Sequence, residues 1–384
     1  MVDEVIASTN VEPRPYQRRI VGKVSAIFNG EFVGADGQTE APAKSVIIES
    51  PTGSGKTVMA LLACKAMQMR HPDLTFGWVA MRRNLLSQAA KENVEKGINV
   101  RNIHFVSMFD KRPEALLEAS RLGKVMMVVD EAQHDAASSM SHLHNIVDPA
   151  YILGMTATPF RTDRMKLCFD KVIKDAGIHT LIQDGYLARF HHYTIPKWDP
   201  ESVSQRYLAE PERWGKSIFY FKNLEQCAEL GRILTTAGVR NEVVTGDTDW
   251  EDQLELFRSG EVPCLINCMK LTEGFDEPSL QTAWVRDSGK GCTMQMGGRA
   301  FRKHPSLPYK NIVQSKLTRW PFIKTAMPEY QYLWQDDSWL SLQINPKIEQ
   351  INLNARIAIC STPVVMPKFI LERAKKVHRF RGDS

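Results

Sequence analysis

Nowhere in the 384 residues do eighteen apolar side chains follow one another, and the opening MVDEVIASTN is acidic where a secretory leader would be basic and then apolar. Membrane insertion and secretion are both disfavoured, so no membrane partner is expected and the location expected is cytoplasmic, the host cytoplasm if the source is viral. No short repeat or low-complexity tract occurs, which removes solenoid architectures. Cysteine is sparse. The seven residues are scattered and odd in number, and the closest pair, Cys264 and Cys268, lies in the apolar run VPCLINCM. That pattern excludes a disulfide framework and speaks for reduced thiols without zinc. A strong excess of one charge is missing too: the net charge is +5, and the segment from Lys368 to Ser384 alone carries six Lys and Arg against two acids. A basic tail of this kind permits a nucleic-acid partner.

What is present is a soluble, core-forming composition, 43% hydrophobic and 24% charged, on a chain long enough for two domains. Between residues 45 and 160 short apolar runs (SVIIES, TFGWVAM, IHFVSM, VMMVVDE, YILGMTA) alternate with helical stretches such as RNLLSQAAKENVEKG. Continuous rather than alternating runs indicate strands buried on both faces, hence a parallel sheet covered by helices. The pattern restarts with SIFYF, a helix over 223–236 opened by Asn223 with Gln226 three residues on, EVVTG, DQLELFRSG, CLINCM, TAWVRD and KNIVQS. The expected fold is α/β, two parallel-sheet domains in tandem. The boundaries expected are a flexible N-terminus at 1–12, a first domain at 13–185, a linker at 186–216 rich in turn formers and aromatics, a second domain at 217–320, and a C-terminal extension at 321–384. Trp320, Trp334 and Trp339 are expected to build the core of that small appendage.

SPTGSGKTVMA (50–60) follows an apolar run and opens a helix, the context in which a phosphate-loop match carries weight. Gly53 and Gly55 let the backbone wrap between Thr52 and Ser54 so that N–H groups and the helix N-terminus face phosphate. Lys56 would neutralise the β- and γ-phosphates of ATP, and the Thr57 hydroxyl would bind Mg²⁺. A matching carboxylate belongs at the end of a neighbouring strand, and VMMVVDEAQH supplies Asp130 for the metal and Glu131 to orient and deprotonate water. Farther on, CTMQMGGRAFRKHP sets Gln295, Arg299 and Arg302 at i, i+4 and i+7, one face if the segment is a single helix.

PTGSGKT, DEAQH, GMTATPFR, LTEGFDEP and QMGGRAFR, in this order over about residues 13–316, resemble the ordered motifs of superfamily 2 helicases and translocases. The resemblance implies two RecA-like domains with ATP in the cleft between them. By motif position it implies Gln17 as the reader of the adenine edge, with Arg14 as its helper. It implies Thr156 and Thr158 as coupling residues, Gly274 and Asp276 as nucleotide contacts, and Gln295, Arg299 and Arg302 as the last motif, Arg302 being the arginine finger. Where many relatives read Asp-Glu-Ala-His, this chain has Gln133 followed by His134, and either could bridge to the second domain.

For nucleic acid the resemblance points to Arg82 and Arg83 of VAMRRNLLSQ, and to Thr245 and Thr272 in the second domain. No Asp-Glu-Ala-Asp sequence occurs, and glutamine opens the last motif, which resembles restriction-enzyme motors and branch-migration helicases more than RNA-unwinding enzymes. A DNA helicase or translocase that acts as a monomer is the expected function. The alternatives are an RNA helicase on the same core and an ATP-dependent nucleic-acid clamp. No nuclease motif is present, so cleavage would require a partner protein.

Overall fold

The computed structural model describes residues 2–34, 36–134, 138–157, 169–246, 250–268, 271, 275–326, 332–335 and 338–341. The basic tail from Lys368 onward lies outside them.

The first sheet is built from β1 (Ser45–Glu49), β2 (Thr75–Ala80), β3 (Ile103–Ser107), β4 (Val125–Asp130), β5 (Tyr151–Thr156) and β6 (Lys171–Lys174), all parallel, in the order β3-β2-β4-β5-β1-β6. Val46, Ile47 and Ile48 of β1 are wholly buried, because helices cover both faces of a central parallel strand. The edge strand β6, KVIK, was not among the apolar runs. Only Ile173 of its two aliphatic residues is buried, Val172 faces solvent, and flanking lysines mark it as a sheet edge. On one face the helices Lys56–Arg70 and Pro15–Phe28 pack side by side, the first against β5 and the second against β1 and β6.

The second sheet comprises β7 (Arg189–Ile195), β8 (Ser217–Tyr220), β9 (Asn241–Val244), β10 (Cys264–Asn267), β11 (Thr282–Val285), β12 (Tyr309–Ser315), β13 (Tyr332–Gln335) and β14 (Ser338–Ser341). Its order is β13-β14-β7-β12-β11-β8-β10-β9, parallel except for the β13–β14 hairpin, which adds antiparallel to β7. The helix at Leu224–Thr236 begins as expected, with the Asn223 side chain accepting from the Gln226 N–H at 2.9 Å. Gln226 reaches back to the N–H of Lys222 at 3.3 Å, one residue before the cap.

Three expectations about organisation are corrected. The stretch 186–216 is no simple linker. RFHHYTI is β7, and its residues Phe190, His192 and Thr194 point into the core while histidine and threonine disguise the alternation. His192 is tolerated there because its Nε2 meets the Gln314 side chain at 2.9 Å, while burial pushes its pKa down to about 3 and keeps it neutral. The N-terminus is not flexible throughout, since Val2–Ala7 forms a helix that buries Val5 and pairs Asp3 with Arg18. Nor do the strands that carry Trp334 and Trp339 stand apart as an appendage: the two residues are register partners on the hairpin that extends the second sheet.

The two sheets share a core. Phe190 of β7 meets Phe301 at 5.1 Å and Phe322 at 5.7 Å between ring centroids, and this cluster continues into the apolar face of the first sheet. A loop of the second sheet, Phe275–Gln281, is tied down from beneath by Lys310 on β12, whose wholly buried ammonium donates to the carbonyls of Pro278 and Leu280 at 2.6 Å each. Burial, opposed by Glu277, lowers the Lys310 pKa from 10.5 to about 8. The unfolded chain then holds one more proton than the folded chain between those values, so stability rises with pH across that window. Lys310→Met is expected to flatten the rise in melting temperature between about pH 8 and 10 relative to the parent. Parallel pH profiles for the two proteins would exclude Lys310 as the source.

Candidate functional site

Strand β1 ends at Glu49 and the chain turns at once into the loop Ser50–Gly55 before the helix Lys56–Arg70. The turn is possible because Gly53 and Gly55 adopt φ of +87° and +79°, a region that costs a side-chain-bearing residue about 1 kcal/mol or more. The loop is braced from below. The Ser50 N–H donates to the Thr156 carbonyl at 2.9 Å, the buried hydroxyls of Ser50 and Ser54 bond at 2.7 Å, and the Ser54 carbonyl accepts from Tyr16 at 2.5 Å and from Gln17 at 2.8 Å. Ser54 therefore shapes the loop from inside rather than offering its hydroxyl to a ligand.

Above this loop lies a cleft of about 420 Å³. Arg14, Gln17, Thr52, Gly53, Gly55, Lys56, Thr57, Asp130 and Glu131 line it from the first sheet, and Asp276, Arg299 and Arg302 line it from the second. Lys56 is half-buried, with its ammonium over the carbonyls of Ser50 and Pro51 at 3.3 and 3.5 Å. Burial lowers its pKa, Glu131 and Asp130 oppose that, and Arg299 and Arg302 add to it. A half-buried ammonium facing two arginines, glycine N–H groups and a helix N-terminus is a setting for a polyanion. Thr57 and Asp130 bring hard oxygen donors to the same cleft, a set that fits Mg²⁺.

At the end of β4, Glu131 has φ +53°, left-handed backbone in a residue with no local preference for it. Its N–H donates to the Asp130 side chain at 3.0 Å, and its carboxylate accepts from Gln133 at 2.9 Å. Gln133 in turn accepts from the buried Thr156 hydroxyl at 2.6 Å, so Glu131, Gln133 and Thr156 form one hydrogen-bonded chain within the first sheet. The side chain of His134, and Thr158, Thr272 and Gly274 altogether, lie outside the described residues.

The last motif is not one helical face. Its helix spans Lys290–Gly298, Arg299–Phe301 is a 3-10 turn, and Arg302 is extended. The pair Gly297-Gly298 stops the helix, and Phe322 packs so closely on Gly297 that a side chain there would collide with its ring. The break separates the arginines. Arg299 is buried and donates to the Phe275 carbonyl at 2.9 Å, whereas Arg302 pairs with Asp276 and lays its guanidinium over Gly53, where any Cβ would strike it. Asp276 thus holds an arginine here. Gln295 does not line the cleft, and neither do Arg82, Arg83 and Thr245, which sit just past the ends of β2 and β9.

Several contributors escaped the sequence reading. Tyr16 bonds the phosphate loop, Phe275 receives Arg299, and Gln88 and Glu92, bonded to each other at 2.9 Å on the helix Arg83–Glu95, line the cleft. Only Tyr16, next to Gln17, carried a signal of position.

Two helix-covered parallel sheets enclosing a phosphate loop on one side and paired arginines on the other form the kind of cleft that the resemblance to superfamily 2 helicases implies. More particularly, the family described as type III restriction enzyme, res subunit, matches residues 10–105 and 91–161. A 51.5 kDa protein of a Lactococcus phage is 24% identical over 262 residues, covering 60% of this chain and 56% of its own length. A Schizosaccharomyces pombe protein named "Putative mitochondrial ATP-dependent helicase irc3" is 23% identical over 345 residues, covering 76% of this chain and 55% of its own. The chain therefore spans little more than half the length of these relatives. Among solved structures, the ATP-dependent type ISP restriction-modification enzyme LlaBIII bound to DNA superposes with a TM-score of 0.56 at 16% identity, over 80% of this chain and 28% of that one.

Glu131→Gly should relieve the left-handed strain and raise the melting temperature by the equivalent of about 1 kcal/mol. Glu131→Gln, which keeps the strain, should leave it unchanged. Equal melting temperatures for all three proteins would show that the backbone there stores nothing.

Proposed function

We propose that this protein is an ATP-dependent DNA translocase or helicase core that couples nucleotide hydrolysis to movement on, or remodelling of, DNA. The observation that supports this most directly is the position of Arg302, delivered from the second sheet onto Gly53 of the phosphate loop of the first. A triphosphate seated on that loop would meet a cation from each side, so its hydrolysis would depend on how the two sheets are set against each other. In this reading Lys56 and the loop N–H groups bind phosphate, and Glu131, oriented by Gln133, orients water and accepts its proton. Arg302, with Arg299 beside it, meets the charge that develops on the γ-phosphate. Thr57 and Asp130 would hold Mg²⁺, which supplies charge neutralisation between the β- and γ-phosphates when bound.

In the same reading Gln17, which lines the cleft, would frame its base end. Its Oε1 accepts from the Arg14 N–H at 2.9 Å and its Nε2 from the same amide donates to the Ser54 carbonyl, so base contact and loop shape would be linked through one side chain. Arg82, Arg83 and Thr245 remain proposed contacts to a nucleic-acid backbone at strand ends. The DNA preference follows the motif resemblance and is supported by the DNA-bound restriction-modification enzyme of the same fold.

The test is ATP hydrolysis measured with single-stranded DNA, duplex, forked DNA and matched RNA. Stimulation by DNA above RNA is expected, and the reverse order would replace this reading with an RNA helicase. Lys56→Ala should lose ATP binding, while Glu131→Gln should bind ATP yet lose turnover by about 10² or more. Arg302→Ala should keep nucleotide affinity within a few-fold and lower the stimulated kcat by roughly 10³. Near-normal turnover in Glu131→Gln and Arg302→Ala would overturn the assignment.

A further inference from the structure

The segment that joins the two sheets, Gly185–Ala188, touches both walls of the cleft. It leaves the helix Ile178–Gln183 through a tight turn at Gly185 (φ +74°), and the N–H groups of Tyr186 and Leu187 both donate to the Leu181 carbonyl, at 2.7 and 3.0 Å. That anchors it to the first sheet. On the other side the Ala188 N–H donates to the Phe301 carbonyl at 2.9 Å, and the Lys303 ammonium donates to the Gly185 carbonyl at 2.7 Å. Phe301 and Lys303 are the neighbours of Arg302, so the segment grips the chain immediately before and immediately after that arginine. Leu187, nearly wholly buried, also packs over Gly53 beside the Arg302 guanidinium.

Tyr186 connects this grip to the base end of the cleft. The Arg14 guanidinium lies over its ring, 4.7 Å from the centroid, and the Tyr16 ring is 5.7 Å away. Arg14 itself lines the cleft and also donates to the Tyr16 hydroxyl at 3.2 Å, and that hydroxyl donates to Ser54 of the phosphate loop. Tyr186 does not line the cleft. It stands behind Arg14, so any ligand that moves or fixes Arg14 acts on the ring that packs beneath it.

We propose that Tyr186 is a positioning residue that links occupancy of the base end of the cleft to the placement of Arg302. The path is physical and short: Arg14 on the Tyr186 ring, the Tyr186 backbone in the segment, and the segment bonded to both neighbours of Arg302. A nucleotide that engages Arg14 would thereby favour one setting of the arginine, and an empty cleft would release it. The proposal rests on the ATP-hydrolysing reading above, and it adds a role for a residue outside the motifs that carried that reading.

The experiment is a double-mutant cycle on the full chain with Tyr186→Ala and Arg302→Ala, reading the DNA-stimulated kcat and, separately, the equilibrium affinity for a fluorescent ATP analogue. Tyr186→Ala should lower kcat by about tenfold in the parent background and by far less in the Arg302→Ala background, because its effect passes through that arginine. Tyr186→Phe keeps the ring and should restore the parent rate. Should Tyr186→Ala lower the melting temperature, Tyr186→Leu, which fills the volume without a π-face, should show the same loss of kcat at the parent melting temperature. Losses that multiply independently in the double variant, or full activity in both Tyr186→Ala and Tyr186→Leu, would overturn the proposal while leaving the ATPase reading intact. A parent protein without DNA-stimulated hydrolysis would overturn the reading itself, and the proposal with it.

Discussion

A guanidinium from one sheet rests on a residue with no side chain in the other, and most of the architecture around the cleft exists to make that contact possible. Gly53 sits at φ +87°, which favours glycine, and the space a Cβ would fill is taken by the Arg302 guanidinium and the Leu187 side chain. Arg302 can reach that far because two glycines end the helix at Gly298 and leave the arginine on extended chain. Phe190, Phe301 and Phe322 then fix the base of that chain in the core common to both sheets. The cleft lining balances Arg14, Lys56, Lys96, Arg299 and Arg302 against Glu12, Glu92, Asp130, Glu131 and Asp276, so any preference for phosphate comes from where Lys56, Arg302 and the loop N–H groups gather and not from net charge.

Polar groups inside the protein follow a consistent pattern of secondary support. Glu131 is held by Gln133, which is held by Thr156, whose carbonyl braces the start of the phosphate loop. Lys310 performs the same service from the second sheet, holding the loop that presents Phe275 to Arg299 and Asp276 to Arg302. Both networks connect the residues expected to meet a nucleotide to strands of the sheets, so the cleft is supported by rigid elements rather than by loops alone.

Much of the fold was legible because parallel strands buried on both faces leave continuous apolar runs, and five of the six strands of the first sheet were read that way. The two strands least like that pattern were misjudged. KVIK at the edge buries one residue, and RFHHYTI spends two of its inward positions on histidine and threonine, His192 being met there by Gln314. The phosphate loop was legible for a different reason: wrapping a backbone around phosphate requires glycine at particular steps and a lysine just beyond them, a requirement local in sequence. Arg299 and Arg302 illustrate the opposite case. Their spacing suggested one helical face, but the helix ends at Gly298, ahead of both, where Phe322, twenty and more residues away, packs against Gly297, and Arg302 lies beyond a 3-10 turn on extended chain.

The sequence by itself determined the residue types that chemistry cannot replace: glycines at positive φ, the lysine that follows them, adjacent carboxylates at a strand end, and arginines near the close of the second unit. Which arginine lies over the phosphate loop and which stays buried against Phe275, that Asp276 pairs with Arg302, that Gln133 turns toward Thr156, and that Tyr186 stands behind Arg14 were decided by tertiary structure alone. Short-range rules act through backbone conformation and are written in neighbouring residues, whereas these contacts join groups tens to hundreds of positions apart. Their partners are chosen only when two sheets pack against a common core.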